Sequence, residues 1–204
     1  MNIFTRAGGW FRRTPGHVSA PVTNSFPNST SYPWFGVFEG DELEQGDIFE
    51  NCTIYQPPDF SKQDSGRPVV RWEKRDLILM SQSCDLVKGR KDITRASLCE
   101  VWGRSEFAKI GSPLAKADKL EQVRKGQLPR YHLLADSKLP GYERELRVID
   151  LFEVHSVPIG FLRDEATKVK HLRLLPPYRE HLAQSFARVY MRVGLPIDIP
   201  KIEK

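Results

Sequence analysis

Between Pro176-Pro177 and Gly194, the residues Tyr178, Leu182, Phe186, Val189, Tyr190 and Val193 recur at i, i+4, i+8, i+11, i+12 and i+15. That spacing puts six large apolar side chains on one face of a helix over about 177–193. Proline suits the first turn and glycine the stop, so both ends are marked. Each large side chain in such a stripe gains about 1.5–3 kcal/mol on full burial, before entropy is counted. A fold that leaves the stripe in water forfeits that gain, so the rest of the chain must offer an apolar surface to cover it. Arg179, His181, Arg188 and Arg192 occupy the other faces. The following Leu195–Pro200 carries two prolines and cannot continue the helix, which predicts an extended strip packed back on the domain.

Strands are the expected partner surface. Gln45-Gly46-Asp47-Ile48-Phe49 reads as a turn entering a strand that continues through Cys52-Thr53-Ile54-Tyr55, with Pro57-Pro58-Asp59 ending it and a polar loop over 59–66. Val69-Val70-Arg71-Trp72 resumes extended structure. Asp76-Leu77-Ile78-Leu79-Met80-Ser81 is a continuous apolar run, the pattern of a strand buried on both faces. Leu98–Trp102, Tyr131–Leu134 and Arg147–Val154 read as further strands, with Pro140 and Gly141 turning the chain between the last two. Ser112 as cap and Pro113 at the first position predict a helix through Leu114, Ala117, Leu120 and Val123 to Gly126. The expected fold class is α+β: a strand-rich, barrel-like core at about 36–160 carrying the C-terminal amphipathic helix.

Charge is unevenly placed. The chain has 31 Lys+Arg against 26 Asp+Glu, a net charge of +5, yet its first 38 residues hold Arg6, Arg12 and Arg13 and no acid. Those first residues show neither period, and 1–35 is expected to be a poorly structured basic arm before a single domain at 36–204. No apolar stretch follows the three arginines, and no run approaches the roughly 18 residues of a membrane helix. A cytoplasmic location is expected, and no membrane partner. Cys52, Cys84 and Cys99 form no CxxC pair, so neither a disulfide framework nor a zinc site is expected, and no cofactor is implied.

Two groups of residues could carry chemistry. Ser81-Gln82-Ser83-Cys84-Asp85 follows the buried strand, where a cysteine becomes a nucleophile if a histidine draws off its proton. The candidate catalytic residues are therefore Cys84, Asp85 and His132, with His155 as a rival base. The plainer reading makes Cys84 a small core residue and Asp85 a turn cap. The second group is basic: Arg67, Arg71, Lys74 and Arg75 around Trp72, followed by Lys88, Arg90 and Lys91. Cations beside an aromatic provide counterion release and base stacking together, as nucleic-acid binding requires; a solvated charged loop is the alternative. Glu73-Lys74 with Glu100 is a loose imitation of a PD-(D/E)xK nuclease. Arg144 and Arg147 alternate with Glu143 and Glu145 like an exposed edge, and Asp164-Glu165 reads as a polar turn. No phosphate-binding glycine loop, HExxH or GxSxG is present.

Over Gln45 to Ser81, the residues Gly46-Asp47-Ile48, Arg67-Pro68-Val69-Val70 and Leu77–Ser81 resemble the MazF/PemK family of toxin endoribonucleases. The resemblance implies a small SH3-like barrel, RNA as ligand or substrate, and Arg67 as a phosphate contact. Where that family has a Pro-Ile-Thr-like strand, this chain reads Ala96-Ser97-Leu98-Cys99-Glu100. The pattern SQSCDL…PPYREHLAQSFARVYMRVGLP resembles uncharacterised bacterial proteins. The expected function is a bacterial binding module for nucleic acid or a protein partner, within a toxin–antitoxin or phage-defence system. The alternatives are a MazF-like endoribonuclease and a Cys84-dependent hydrolase. The expected partners are RNA or DNA, or a protein docking on the 177–193 helix.

Overall fold

The computed structural model describes residues 32–56, 70–90 and 93–191; most of the basic arm, the 59–66 loop, Arg67, Lys91 and the strip after Gly194 lie outside them. The described chain runs β1 (Phe35–Phe38), β2 (Asp47–Gln56), β3 (Arg71–Leu79), α1 (Ser83–Leu86), β4 (Arg95–Gly103), α2 (Arg104–Lys109), a 3-10 turn (Pro113–Ala115), α3 (Ala117–Arg124), β5 (Tyr131–Leu134), β6 (Arg147–Pro158), α4 (Ile159–Lys168), β7 (His171–Leu174) and α5 (Tyr178–Tyr190). The fold is α+β. All seven strands join one antiparallel sheet in the order β1-β7-β2-β3-β4-β6-β5. This corrects the expected barrel, because β1 and β5 end the sheet without pairing to each other and the sheet is open.

Each face carries helices where the strand pattern leaves apolar residues. On one face Ile48, Ile78, Cys99, Val101, Ile149, Leu151, Leu172 and Leu174 meet Leu182 and Val189 of α5, with Tyr178 and Phe186 packed at the margin. Leu182 and Val189 of the stripe are thus covered by the chain's own sheet, while Tyr190 is 54% exposed and Val193 lies outside the described residues. On the other face Cys52, Ile54, Leu77, Leu79, Leu98 and Val157 meet Ile159, Leu162 and Ala166 of α4. Phe107, Leu114, Leu120 and Val123 pack on Val148 beside them. Leu77, Ile78 and Leu79 are each completely enclosed, since successive side chains of β3 enter opposite cores.

Two elements differ from expectation. Asp164 and Glu165 lie inside α4, where their carboxylates bond Lys168 one turn on, so the segment is a helix and not a turn. Arg147 is buried and points at Glu50, which also binds Arg144 through its Nε at 2.6 Å. The two arginines therefore converge on one half-buried carboxylate and do not form an exposed edge. The expected helix from Ser112 to Gly126 is interrupted: Ser112 caps only the 3-10 turn, its hydroxyl accepting from the Leu114 N–H at 3.3 Å, and after extended Lys116 the helix α3 begins at Ala117 with no side-chain cap. Gly46, at φ +93°, sits so close to Leu174 that a Cβ would stand 3.1 Å from that residue's Cβ. Only glycine lets β2 approach β7 at this point. Among the described residues no helix is long and apolar enough to cross a membrane.

Candidate functional site

The sheet coils, and the coil makes the site. In the ladder Tyr55 lies opposite Trp72, whereas His155 lies opposite Leu98 and Leu98 opposite Leu79. On a flat sheet Tyr55 and His155 would therefore stand far apart along the strands. Both nevertheless line one cleft. The register of β2 shifts between Phe49 and Cys52, where Asn51 adopts φ 54° and donates its N–H to Asp76 Oδ1 at 2.9 Å. A second shift in the β4–β6 ladder lies between Cys99 and Glu100. Such bulges bend strands and increase their twist, which brings the outer part of β2 towards the outer part of β6.

The bent hairpin has an inner and an outer side. Cys52 and Ile54 face the α4 core, so Thr53 and Tyr55, with their register partners Lys74 and Trp72, face outward. Tyr55 is 72% exposed and Trp72 65% exposed. Two large aromatics opposite each other on a strand pair usually pack into a core; these lie open beside a lysine.

The cleft next to them encloses about 490 Å³ and is lined by Thr53, Ile54 and Tyr55 of β2, Arg95 of β4, Val154 to Pro158 of β6, and Phe161 of α4. That volume lies in the range of small-molecule sites. Arg95 is fixed at its mouth, with Nε donating to Ser156 Oγ at 2.9 Å and Nη2 to the Ser156 carbonyl. Behind His155 stands Glu100, buried to 5% exposure, whose Oε1 is 2.9 Å from His155 Nε2. Arg75 flanks the pair, 3.8 Å from Glu100 Oε2, while also bonding Glu73 at 2.6 Å and lying 5.0 Å over the Trp102 ring.

The basic group named from the sequence divides. Trp72 and Lys74 belong to the outer face, and Arg71 is exposed at the same hairpin on the inner parity. Arg75 turns inward to Glu73 and Glu100. Lys88 bonds Asp41, which holds the Asp41 carboxyl below its usual range, and Arg90 is exposed in the turn after α1. Arg67 and Lys91 lie outside the described residues.

The expected catalytic group is not assembled. Cys84 is exposed on α1, with Asp85 Oδ1 3.4 Å from its sulfur. The segment is braced: the Gln45 N–H donates to Ser83 Oγ, the Gln45 side chain to the Met80 carbonyl, and Arg163 to the Leu86 carbonyl. His132 sits on the edge strand β5, with β4 and β6 between it and β3. It bonds Ser185 Oγ at 3.0 Å, and burial, reinforced by the charge of His181, pushes its pKa down to about 4. Cys52 and Cys99 are buried in opposite cores with thiols raised by desolvation to about 11 and about 12. No group of three or more His, Cys, Asp or Glu able to hold a metal occurs among the described residues.

Sequence reasoning passed over Tyr55 and Arg95, and took His155 and Glu100 apart from each other. The alternation of Thr53 and Tyr55 with Cys52 and Ile54 was the available signal for an outward tyrosine. Nothing in the spacing paired Glu100 with His155, because the register shift in the β4–β6 ladder sets that meeting. No protein-family model, curated protein or solved structure matches the chain.

Proposed function

We propose that the chain is a single-stranded nucleic-acid-binding module that stacks bases on the outer face of the β2–β3 hairpin. The observation that carries this reading is the cross-strand pair Tyr55–Trp72, both rings open to solvent beside Lys74. Base–aromatic stacking contributes about 1–3 kcal/mol per base, and every base has a face to offer. Lys74 supplies phosphate neutralisation on that face, and Arg71 and Arg95 extend the positive charge to the hairpin end and the cleft. A protein partner would find the same aromatics, but the cations flanking them favour a polyanion. The Cys84 hydrolase has no histidine beside its sulfur among the described residues to support it.

The test is anisotropy of a labelled single-stranded oligonucleotide across a salt series. Affinity should fall steeply with salt. Tyr55→Ala and Trp72→Ala should each lower it about tenfold, within the range expected for one stacked base. Lys74→Ala should reduce the salt slope by about one. Binding indifferent to salt, or unchanged in both aromatic variants, would refute the reading.

A further inference from the structure

Arginines along the sheet are answered by carboxylates: Arg75 by Glu73, Arg130 by Asp150, Arg144 by Glu50 and Arg173 by Asp47. Arg95, which lines the cleft, meets no carboxylate among the described residues. Its Nε donates to Ser156 Oγ at 2.9 Å and its Nη2 to the Ser156 carbonyl. Both acceptors are neutral, so the guanidinium is fixed in place with its charge unanswered. Nη1 makes no hydrogen bond among the described residues. Holding a long side chain still is part of what binding costs, and Ser156 has already met that cost here. A preset, uncompensated guanidinium at a cleft is an anchor for an anion.

The rest of the lining describes the body that the anion belongs to. Ile54 and Val157 are buried aliphatic residues, and Tyr55 of β2 and Phe161 of α4 bring rings from two separate elements. Aromatic and aliphatic walls around a few polar groups are the usual make-up of a small-molecule site, and about 490 Å³ is room for a body of two fused rings. Charge narrows the choice further. Arg95 is the one lining side chain with a permanent positive charge. A phosphate ester carries about −1.5 to −2 at neutral pH, more than one guanidinium answers, whereas a carboxylate carries a single charge and is planar like its partner. We propose that the cleft binds a small aromatic monocarboxylate, with the carboxylate on the donors of Arg95 that Ser156 leaves free and the rings against Tyr55, Phe161, Ile54 and Val157. This goes beyond the nucleic-acid reading and needs no strand on the hairpin face.

The experiment titrates naphthalene-2-carboxylate, its carboxamide and 2-naphthyl phosphate into the full chain by calorimetry. The carboxylate should bind one to one, and the uncharged amide about tenfold or more weakly, the difference expected for a charge-assisted hydrogen bond. The phosphate should bind no more tightly than the carboxylate. Arg95→Ala should weaken the carboxylate about tenfold and leave the amide nearly unchanged, a split that simple loss of packing would not produce. Arg95→Lys serves if the alanine variant fails to fold, and should fall between it and the wild type, since it keeps the charge and loses the planar fork. Phe161→Ala should weaken carboxylate and amide alike. Lys109 is exposed on α2, at the other end of β4 from Arg95, and Lys109→Ala should alter neither. No binding of the carboxylate at millimolar concentration overturns the inference. Equal affinity of carboxylate and amide for the wild type, or equal weakening by Arg95→Ala and Lys109→Ala, overturns Arg95 as the anchor. Tighter binding of the phosphate overturns the ligand class.

Discussion

Asp47 and Glu100 are both carboxylates buried in the middle of the sheet, and they are enclosed in different ways. Asp47 is completely covered. Its register partner across to β7 is Arg173, which reaches it through Nε and through Nη2 at 3.0 Å, and the Glu44 N–H donates to its Oδ2 at 2.8 Å. Arg173 spends its remaining donors on Glu44 and the Glu42 carbonyl, with the Phe38 ring 4.2 Å from its guanidinium carbon. His171 Nε2 also lies 3.3 Å from Asp47 Oδ1, buried with it. Glu100 shares its charge between Arg75 and His155, and both of those side chains also reach solvent. A buried charge held bidentately by an arginine across two strands ties them together, while Glu100 stands behind a histidine that lines a cleft.

The largest test of that contrast is stability. Asp47→Ala takes the bidentate partner from buried Arg173, leaving it only the half-exposed Glu44, and should cost about 3–5 kcal/mol in chemical denaturation. Glu100→Ala should cost less than half as much, since Arg75 keeps Glu73 and both partners of Glu100 reach solvent. Equal losses would erase the distinction.

A buried titrating group with no carboxylate partner sharpens it. His132 has a folded pKa near 4 against an ordinary value of 6.5. Between those values the unfolded chain takes up a proton that the folded chain does not, so acidification through this window destabilises the fold. The loss should reach about 3 kcal/mol and stop growing below pH 4. His132→Gln should flatten that part of the stability–pH curve, and an unchanged slope would show that another group is responsible.

The smallest effect concerns the cysteines. In the native protein a thiol reagent at neutral pH should modify Cys84 alone, with Cys52 and Cys99 reacting only after unfolding, as intact mass would show. Cys84→Ala should change stability by no more than about 0.5 kcal/mol, as for other surface substitutions.

Periodicity made much of the fold readable. The α5 stripe, the doubly buried run of β3 and the Ser112-Pro113 start each carry a signal that their own neighbours complete. Helix α4 is not among the elements read from the sequence, although Ile159, Leu162 and Ala166 have helical spacing, because the Asp164-Glu165 pair reads as a polar turn. Strand β7 leaves little signal because four residues, two of them polar, are too few to establish alternation, and all four are buried. The site was less legible for a related reason. Lys74 and Trp72 stood out as residue types, but the tyrosine opposite Trp72 depends on a register reset at Asn51. Likewise, Glu100 meets His155 only because the β4–β6 ladder slips. Long-range register leaves no trace in local pattern.

The place of β7 in the sheet also bears on how the protein is made. It lies between β1 and β2, although some 120 residues separate Ile48 from its partner Leu172. At ~5–20 residues per second, a nascent chain holds β1 and β2 without their shared neighbour for ~6–25 s. Until His171–Leu174 leave the ribosome, the whole amino-terminal side of the sheet is an unsealed edge, and the last of the described strands to be synthesised is the one that closes it.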